Sequence, residues 1–343
     1  RVLFRSRGPA GVLMAGAALV WIGSGAFIYH NSNVLNRYIT TPEREALQAE
    51  AEKQLLPLEK TPQPTITHVS LDVALYPRER LAVTTGSYRL ENRHREALRV
   101  LHVQTPRELN IGLLEMPGAT LEKNYEDFGF RVYRLAEPLQ PGETRVLRFE
   151  TRLQEKGFPN SDAQTRLVAN GSFINNTEVA PVLGVSRELF LRDRAKRRKY
   201  GLEPELRPAK LEDDTARAHH YLRADSDWVT ADIRLSTDAD QTPVAPGMTV
   251  SDTTADGRRT VVTRTEAPIH HFFSLQSARY AEKTDTWMNP RGEPVALAVY
   301  YHPEHTHNVQ RMMDAMKVSL GVFSERFSDR KSTRLNSSHL VIS

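Results

Sequence analysis

Three patterns of apolar and polar positions follow one another along the chain. From Gly8 to Asn36 there is no Asp, Glu, Lys or Arg, and Val12, Leu13, Met14, Leu19, Val20, Trp21, Ile22, Phe27 and Ile28 dominate its heart. That heart, Gly11 to Tyr29, spans with its flanks about 22 residues, roughly 33 Å as a helix, enough to cross a hydrocarbon core of about 30 Å. A transmembrane helix over residues 8–30 is therefore expected, with Trp21 and Tyr29 toward its outer half. A signal peptide is the rival reading, because Ser24, Gly25 and Ala26 offer small residues for a cleavage site.

Residues 31–64 read as a stalk. Pro42, Glu43 and Glu45 open a short helix through Leu55, and Pro57, Pro62 and Pro64 prevent its continuation. The period then changes to two: Val69, Leu71, Val73 and Leu75 alternate with Ser70, Asp72 and Ala74, as in a half-buried strand. Further strands are expected at 81–91, 98–104, 109–115, 130–135 and 145–153, punctuated by Pro77, Pro117-Gly118 and Pro141-Gly142. A charged insertion, helical in part, runs from Arg187 to about Tyr221, and strands resume near 229–236, 259–266, 272–280 and 295–301. Short strands at this spacing predict a mainly β fold, with a β-sandwich over residues 65–285. The third pattern is helical. Val309, Met312, Met313, Met316, Leu320, Phe323 and Phe327 recur at three- and four-residue steps, so a second domain is expected to begin within residues 286–328.

Composition changes this picture mainly at the ends. Arg1–Ser6 and the run Asp329-Arg330-Lys331-Ser332-Thr333-Arg334 can be encoded by complementary DNA strands, which resembles read-through into sequencing adapters. Residues 1–6 and 329–343 are thus expected to be foreign, and the chain to be a fragment. Those segments carry the whole formal charge of +4, so residues 7–328 are neutral overall. Charge then gives no reason to expect a nucleic-acid partner. The chain has no cysteine, which excludes disulfides and thiolate metal sites.

Candidate chemistry is sparse. His302, Glu304, His305 and His307 lie close together, but none of the twelve histidines is followed by the glutamate of a zinc-peptidase helix. Pro303 places this cluster at a helix start, where Glu304 suits the macrodipole without a metal. The adjacent pairs His219-His220 and His270-His271 would diverge on a strand. The basic run Arg192 to Lys199 reads either as a solvated helix face or as a contact for anionic lipid or nucleic acid; it lacks the interleaved aromatics of a base-stacking surface. No catalytic residue and no metal ligand is assigned.

Several motifs resemble a known family. Leu71-Asp72-Val73-Ala74-Leu75-Tyr76-Pro77 with Gly86-Ser87-Tyr88-Arg89-Leu90-Glu91-Asn92 is similar to the opening hairpin of zinc aminopeptidases of the aminopeptidase N type. Pro268-Ile269 to Arg279-Tyr280 looks like the strand that closes their first domain, and Val299-Tyr300-Tyr301-His302-Pro303 like the entry to their thermolysin-like domain. Arg197-Arg198-Lys199-Tyr200-Gly201-Leu202 is similar to a bacterial subgroup fused to an ABC-transporter permease.

The resemblance implies a β-sandwich, a zinc-dependent parent that cleaves peptides, and an ATPase subunit as a possible partner. It implies a bacterial inner membrane, with the β domain on the periplasmic side. Zinc ligands and general base would lie beyond residue 328, leaving no cofactor in the fragment itself. In the family, a Thr-Gln-x-Glu/Gln segment holds the substrate's free α-amine. Asn175-Asn176-Thr177-Glu178 stands at the comparable place and departs at its first two positions, so only Glu178 carries over, as a substrate-binding residue. The residue pattern alone leaves Glu178 equally a surface side chain in a loop before Pro181. The alternative for the whole is a non-catalytic extracytoplasmic binding or scaffold domain of a transporter.

Overall fold

The computed structural model describes residues 9–160, 165–204, 210, 212–214, 223 and 225–327. The two end segments expected to be foreign, and His219-His220, lie outside these residues. The chain divides into two compact units, Arg1–Arg44 with Glu155–Thr165 and Glu45–Gln154 with Arg166–Ser343.

In the first unit, helix α1 (Pro9–Tyr29) buries none of its residues, and Val12, Leu13, Leu19, Val20 and Trp21 stand exposed. It runs on through a π-helical turn, His30–Val34. Among the described residues, Pro9–Val34 is the one helix long and apolar enough to cross a membrane, with a mean hydropathy of 1.9. Helix α2 (Thr41–Leu55) starts where the sequence suggests. The Glu43 carboxylate accepts the Thr40 N–H at 2.8 Å and the Thr40 hydroxyl at 2.8 Å, closing the helix start as a capping box does.

The second unit is mostly β. Its strands in chain order are β1 (Thr65–Tyr76), β2 (Leu81–Glu91), β3 (Leu98–Gln104), β4 (Leu109–Glu115), β5 (Ala119–Tyr125), β6 (Phe130–Leu139) and β7 (Thr144–Gln154). After them come β8 (Leu167–Val168), β9 (Gly171–Asn175), helix α3 (Asn176–Val179), β10 (Val182–Leu183) and helix α4 (Arg194–Lys199). The chain continues with β11 (Trp228–Asp238), β12 (Thr242–Val244), β13 (Met248–Ala255), β14 (Arg258–Arg264), β15 (Ile269–His270) and β16 (Ser274–Ala278). It finishes with β17 (Ala281–Met288), β18 (Pro294–Tyr301) and helix α5 (Val309–Phe327).

An eight-stranded sheet is ordered β13-β14-β11-β1-β2-β7-β4, with β15 also paired to β11. The alternation in β1 does what its period predicts: Val69, Leu71, Val73 and Leu75 are all buried on one face. That face shares a core with residues of two four-stranded sheets, β10-β3-β6-β5 and β12-β16-β9-β8, giving the expected sandwich-like arrangement. The pairing of β1 is antiparallel with β2 but parallel with β11, from His68 opposite Thr230 to Ala74 opposite Ser236.

Two smaller cores flank the main one. Ala51 and Leu55 of α2 pack with Phe128, Phe130, Val185 and Phe190, so this part of the expected stalk is built into the β unit. In the other, α5 lays Val309 and Met313 on Val295, Leu297 and Val299 of the β17–β18 hairpin. The basic run is tied up on one side. Arg197 is buried and makes a bidentate pair with Glu52 of α2 at 2.6 and 2.7 Å, while Lys196 and Lys199 reach Glu45 at 2.9 and 3.1 Å. The run is therefore a helix–helix clasp at Arg197, with Lys196 and Lys199 on Glu45, while Arg192, Arg194 and Arg198 keep to a solvated face.

Candidate functional site

Glu178 sits on α3, in the strip that follows β9. Asn175 is extended (φ −86°, ψ 151°) and caps the turn, which places Glu178 at the third helical position. There its Oε2 accepts the Asn175 N–H at 2.7 Å, the glutamate half of a capping box. Its Oε1 accepts from Arg166 Nη1 at 2.9 Å, and the two side chains are 23 % and 27 % exposed. The expected loop glutamate is thus a helical residue with both oxygens engaged. A carboxylate has about four acceptor positions, so room for a further donor remains on the half-exposed side.

The strip is fixed to the sandwich along its length. Asn176 is buried; its N–H donates to the Phe273 carbonyl at 2.9 Å and its Oδ1 accepts the Phe273 N–H at 3.1 Å. Thr151 donates its hydroxyl to the Val179 carbonyl at 2.5 Å, and Tyr88 donates to that of Pro181 at 3.0 Å. Leu183 N–H donates to Asp225 at 3.0 Å, and Arg223 pairs with the same carboxylate at 2.8 Å. Burial raises the Tyr88 phenol far above its ordinary range, with the Asp225 charge adding to the effect, so it stays a neutral donor. Beside it, edge-on at 5.5 Å, lies the buried His271 ring; burial lowers its pKa more than Asp225 raises it. The result is a rigid mount for α3.

Sequence reasoning did not single out Arg166 or Asp225, and it gave Asn176 and His271 no part in holding this strip. Arg166 meets Glu178 only because β8 and β9 fold back on each other, and no local spacing marks that contact. The pair His270-His271 does diverge, with His270 against the Trp228 ring and His271 in the core. The His302 and His305 rings lie 4.9 Å apart, tilted at 42°, and His302 Nδ1 accepts the Glu304 N–H at 3.3 Å. Among the described residues no three His, Asp or Glu side chains are placed together as metal ligands would be.

No protein-family model and no curated protein matches the sequence. Solved structures do match. An M1 zinc metallopeptidase from Deinococcus radiodurans superposes with a TM-score of 0.51 at 15% identity, over 81% of this chain and 56% of that one. The fold resembles that of M1 aminopeptidase amino-terminal domains. A two-domain M1 zinc metallopeptidase mutant bound to L-arginine matches with a TM-score of 0.50 at 16% identity, over 77% of this chain and 54% of that one. Legionella pneumophila aminopeptidase A, in complex with aspartic acid, matches with a TM-score of 0.51 at 12% identity, over 80% and 28% of the two chains. At these identities the likeness is one of fold, and this chain spans little more than half, or less, of each neighbour's length.

Proposed function

We propose that this chain is the anchor and sandwich part of a membrane-bound, aminopeptidase N-like zinc metallopeptidase linked to an ABC-transporter permease. The observation that carries the reading is the superposition on M1 zinc metallopeptidases over 81% of the chain. The apolar helix Pro9–Val34 supports the anchor. In this reading the anchor lies in a bacterial inner membrane with the sandwich on the periplasmic side, and an ATPase subunit serves the permease. Glu178 faces the free α-amine of a peptide substrate, to which a carboxylate offers a charge-assisted hydrogen bond. Zinc and its ligands belong to the portion following residue 328, where zinc would polarise the scissile carbonyl and activate water.

One observation favours a second reading, a non-catalytic scaffold domain of a transporter. Both Glu178 oxygens already serve the fold, through Asn175 and Arg166. Amplifying the gene from source DNA and reading outward from within residues 40–300 separates the two. An intact His-Glu-x-x-His helix after residue 328 is the outcome expected of a peptidase. A decayed version supports the scaffold, and no peptidase-like domain at all overturns the family reading.

A further inference from the structure

The first unit joins two segments far apart in sequence. The π-helical turn after α1 directs its polar groups inward: Asn31 Nδ2 donates to the Phe27 carbonyl and the Ser32 hydroxyl to that of Ile28, both at 2.8 Å. Asn36 Nδ2 donates to the Asn31 carbonyl and to that of Lys156, again at 2.8 Å each. The Asn160 amide brackets Ile39, donating to its carbonyl at 2.9 Å and accepting its N–H at 3.4 Å. Between these clamps Gly157 has φ +53°, and a Cβ there would collide with the Asn31 side chain, so only glycine allows this approach. The segment 156–160 is therefore docked on the end of the apolar helix by directed bonds.

Docking sets the depth of Phe158. Its ring lies 5.8 Å from the ring of Phe27, which belongs to the apolar run, and it stays 40 % exposed. Phe27 precedes His30 by three residues, about 5 Å along a helix. Tyr29, two residues after Phe27, and Tyr38 are exposed, as are Arg37 next to Tyr38 and Lys156 two residues before Phe158. Aromatic rings with basic side chains at the end of an apolar helix are the composition of a membrane interface. We infer that the segment 156–160 is a membrane-contacting element, with Phe158 seated at the boundary between lipid headgroups and acyl chains. The inference rests on the reading of Pro9–Val34 as a membrane span, and it adds a second, non-helical point of lipid contact. Its partner is the bilayer surface.

The absence of native cysteine allows single-site labelling of the full chain. Ile22→Cys, Phe158→Cys and, on the exposed strand β13, Ser251→Cys would each carry an environment-sensitive fluorophore in vesicles of phosphatidylcholine and phosphatidylglycerol. Lipids bearing a nitroxide near the headgroup or near the bilayer centre then report depth. At Phe158, quenching several-fold above that at Ser251 is expected, stronger with the headgroup nitroxide; at Ile22 the central nitroxide should dominate. Pro159→Cys leaves Phe158 in place and carries the same expectation. Strong quenching at Ile22 with both loop positions at the Ser251 level overturns the inference and leaves the anchor standing. All positions at the Ser251 level overturn both.

Discussion

At the scale of single residues, Glu178 combines a structural task with the charge that an α-amine needs, and two substitutions separate the roles. Glu178→Ala removes the bond to the Asn175 N–H and the partner of Arg166. A lost cap of this kind costs about 0.5–2 kcal/mol, more than a loop glutamate would. Glu178→Gln keeps an acceptor for Asn175 but removes the charge and the bond from Arg166, since its amide nitrogen is a donor. If the complete protein is an aminopeptidase, both variants should lose roughly 30- to 3000-fold in kcat/KM on free-amine peptides, the equivalent of about 2–5 kcal/mol for truncating one side of a buried charged pair. On the same peptides acetylated at the amine, wild type and variants should be equally poor. A Gln variant with full activity would assign Glu178 to the fold alone.

At the scale of elements, the junction of α2 with α4 shows how a charged run becomes internal structure. Arg197 is 6 % exposed and Glu52 7 %, and the guanidinium also donates to the carbonyls of Leu191 and Glu203. Breaking such a buried pair from one side costs about 3–5 kcal/mol, because the remaining charge is left without a partner. Arg197→Ala should therefore lower the denaturation midpoint markedly, whereas Arg198→Ala, on the exposed side of the same helix, should stay within about 0.5 kcal/mol of wild type. The double replacement Glu52→Leu with Arg197→Met should recover most of the loss. Equal, small effects at 197 and 198 would mean that the helix is solvated after all.

Across the whole molecule, stability should depend on pH through histidines buried in their neutral form. His102 on β3 is 2 % exposed, its Nδ1 has no hydrogen-bond partner, and burial lowers its pKa to about 4. Burial also lowers His271 and His68. An unfolded histidine takes up a proton near pH 6.5, so between that value and about 4 the unfolded chain binds more protons than the folded one. The stabilisation is complete above the unfolded pKa and is lost as pH falls. Between pH 7 and pH 5, His102 alone should account for about 1–2 kcal/mol, allowing for partial solvent screening. Urea midpoints of the full chain in detergent should fall over this interval, and His102→Leu should flatten the fall. An unchanged slope in the variant would assign the pH dependence elsewhere.

The local pattern determined a good deal by itself. Alternation marked β1, whose apolar positions share one buried face, and strands β2, β3 and β4 run over the residues that the turn signals outlined. The helical step of Val309 to Phe327 and the stop at Leu55 before Pro57 were equally local. Strands β5 and β13 were not legible, since five of seven and all eight of their residues are exposed and an exposed strand has no reason to alternate; β17 alternates in exposure, but Lys283 and Asp285 on its more covered face hide the apolar period. Glu178 was found through a family motif and not through its own surroundings, which is why its bonds to Asn175 and Arg166 were invisible. Tertiary structure decided what distance in sequence conceals. The parallel pairing of β1 with β11, the clasp of Arg197 on Glu52 and the docking of Phe158 on Phe27 each join residues more than a hundred positions apart. Such contacts are selected by the burial, charge and hydrogen bonding of the whole fold, and no local period encodes them.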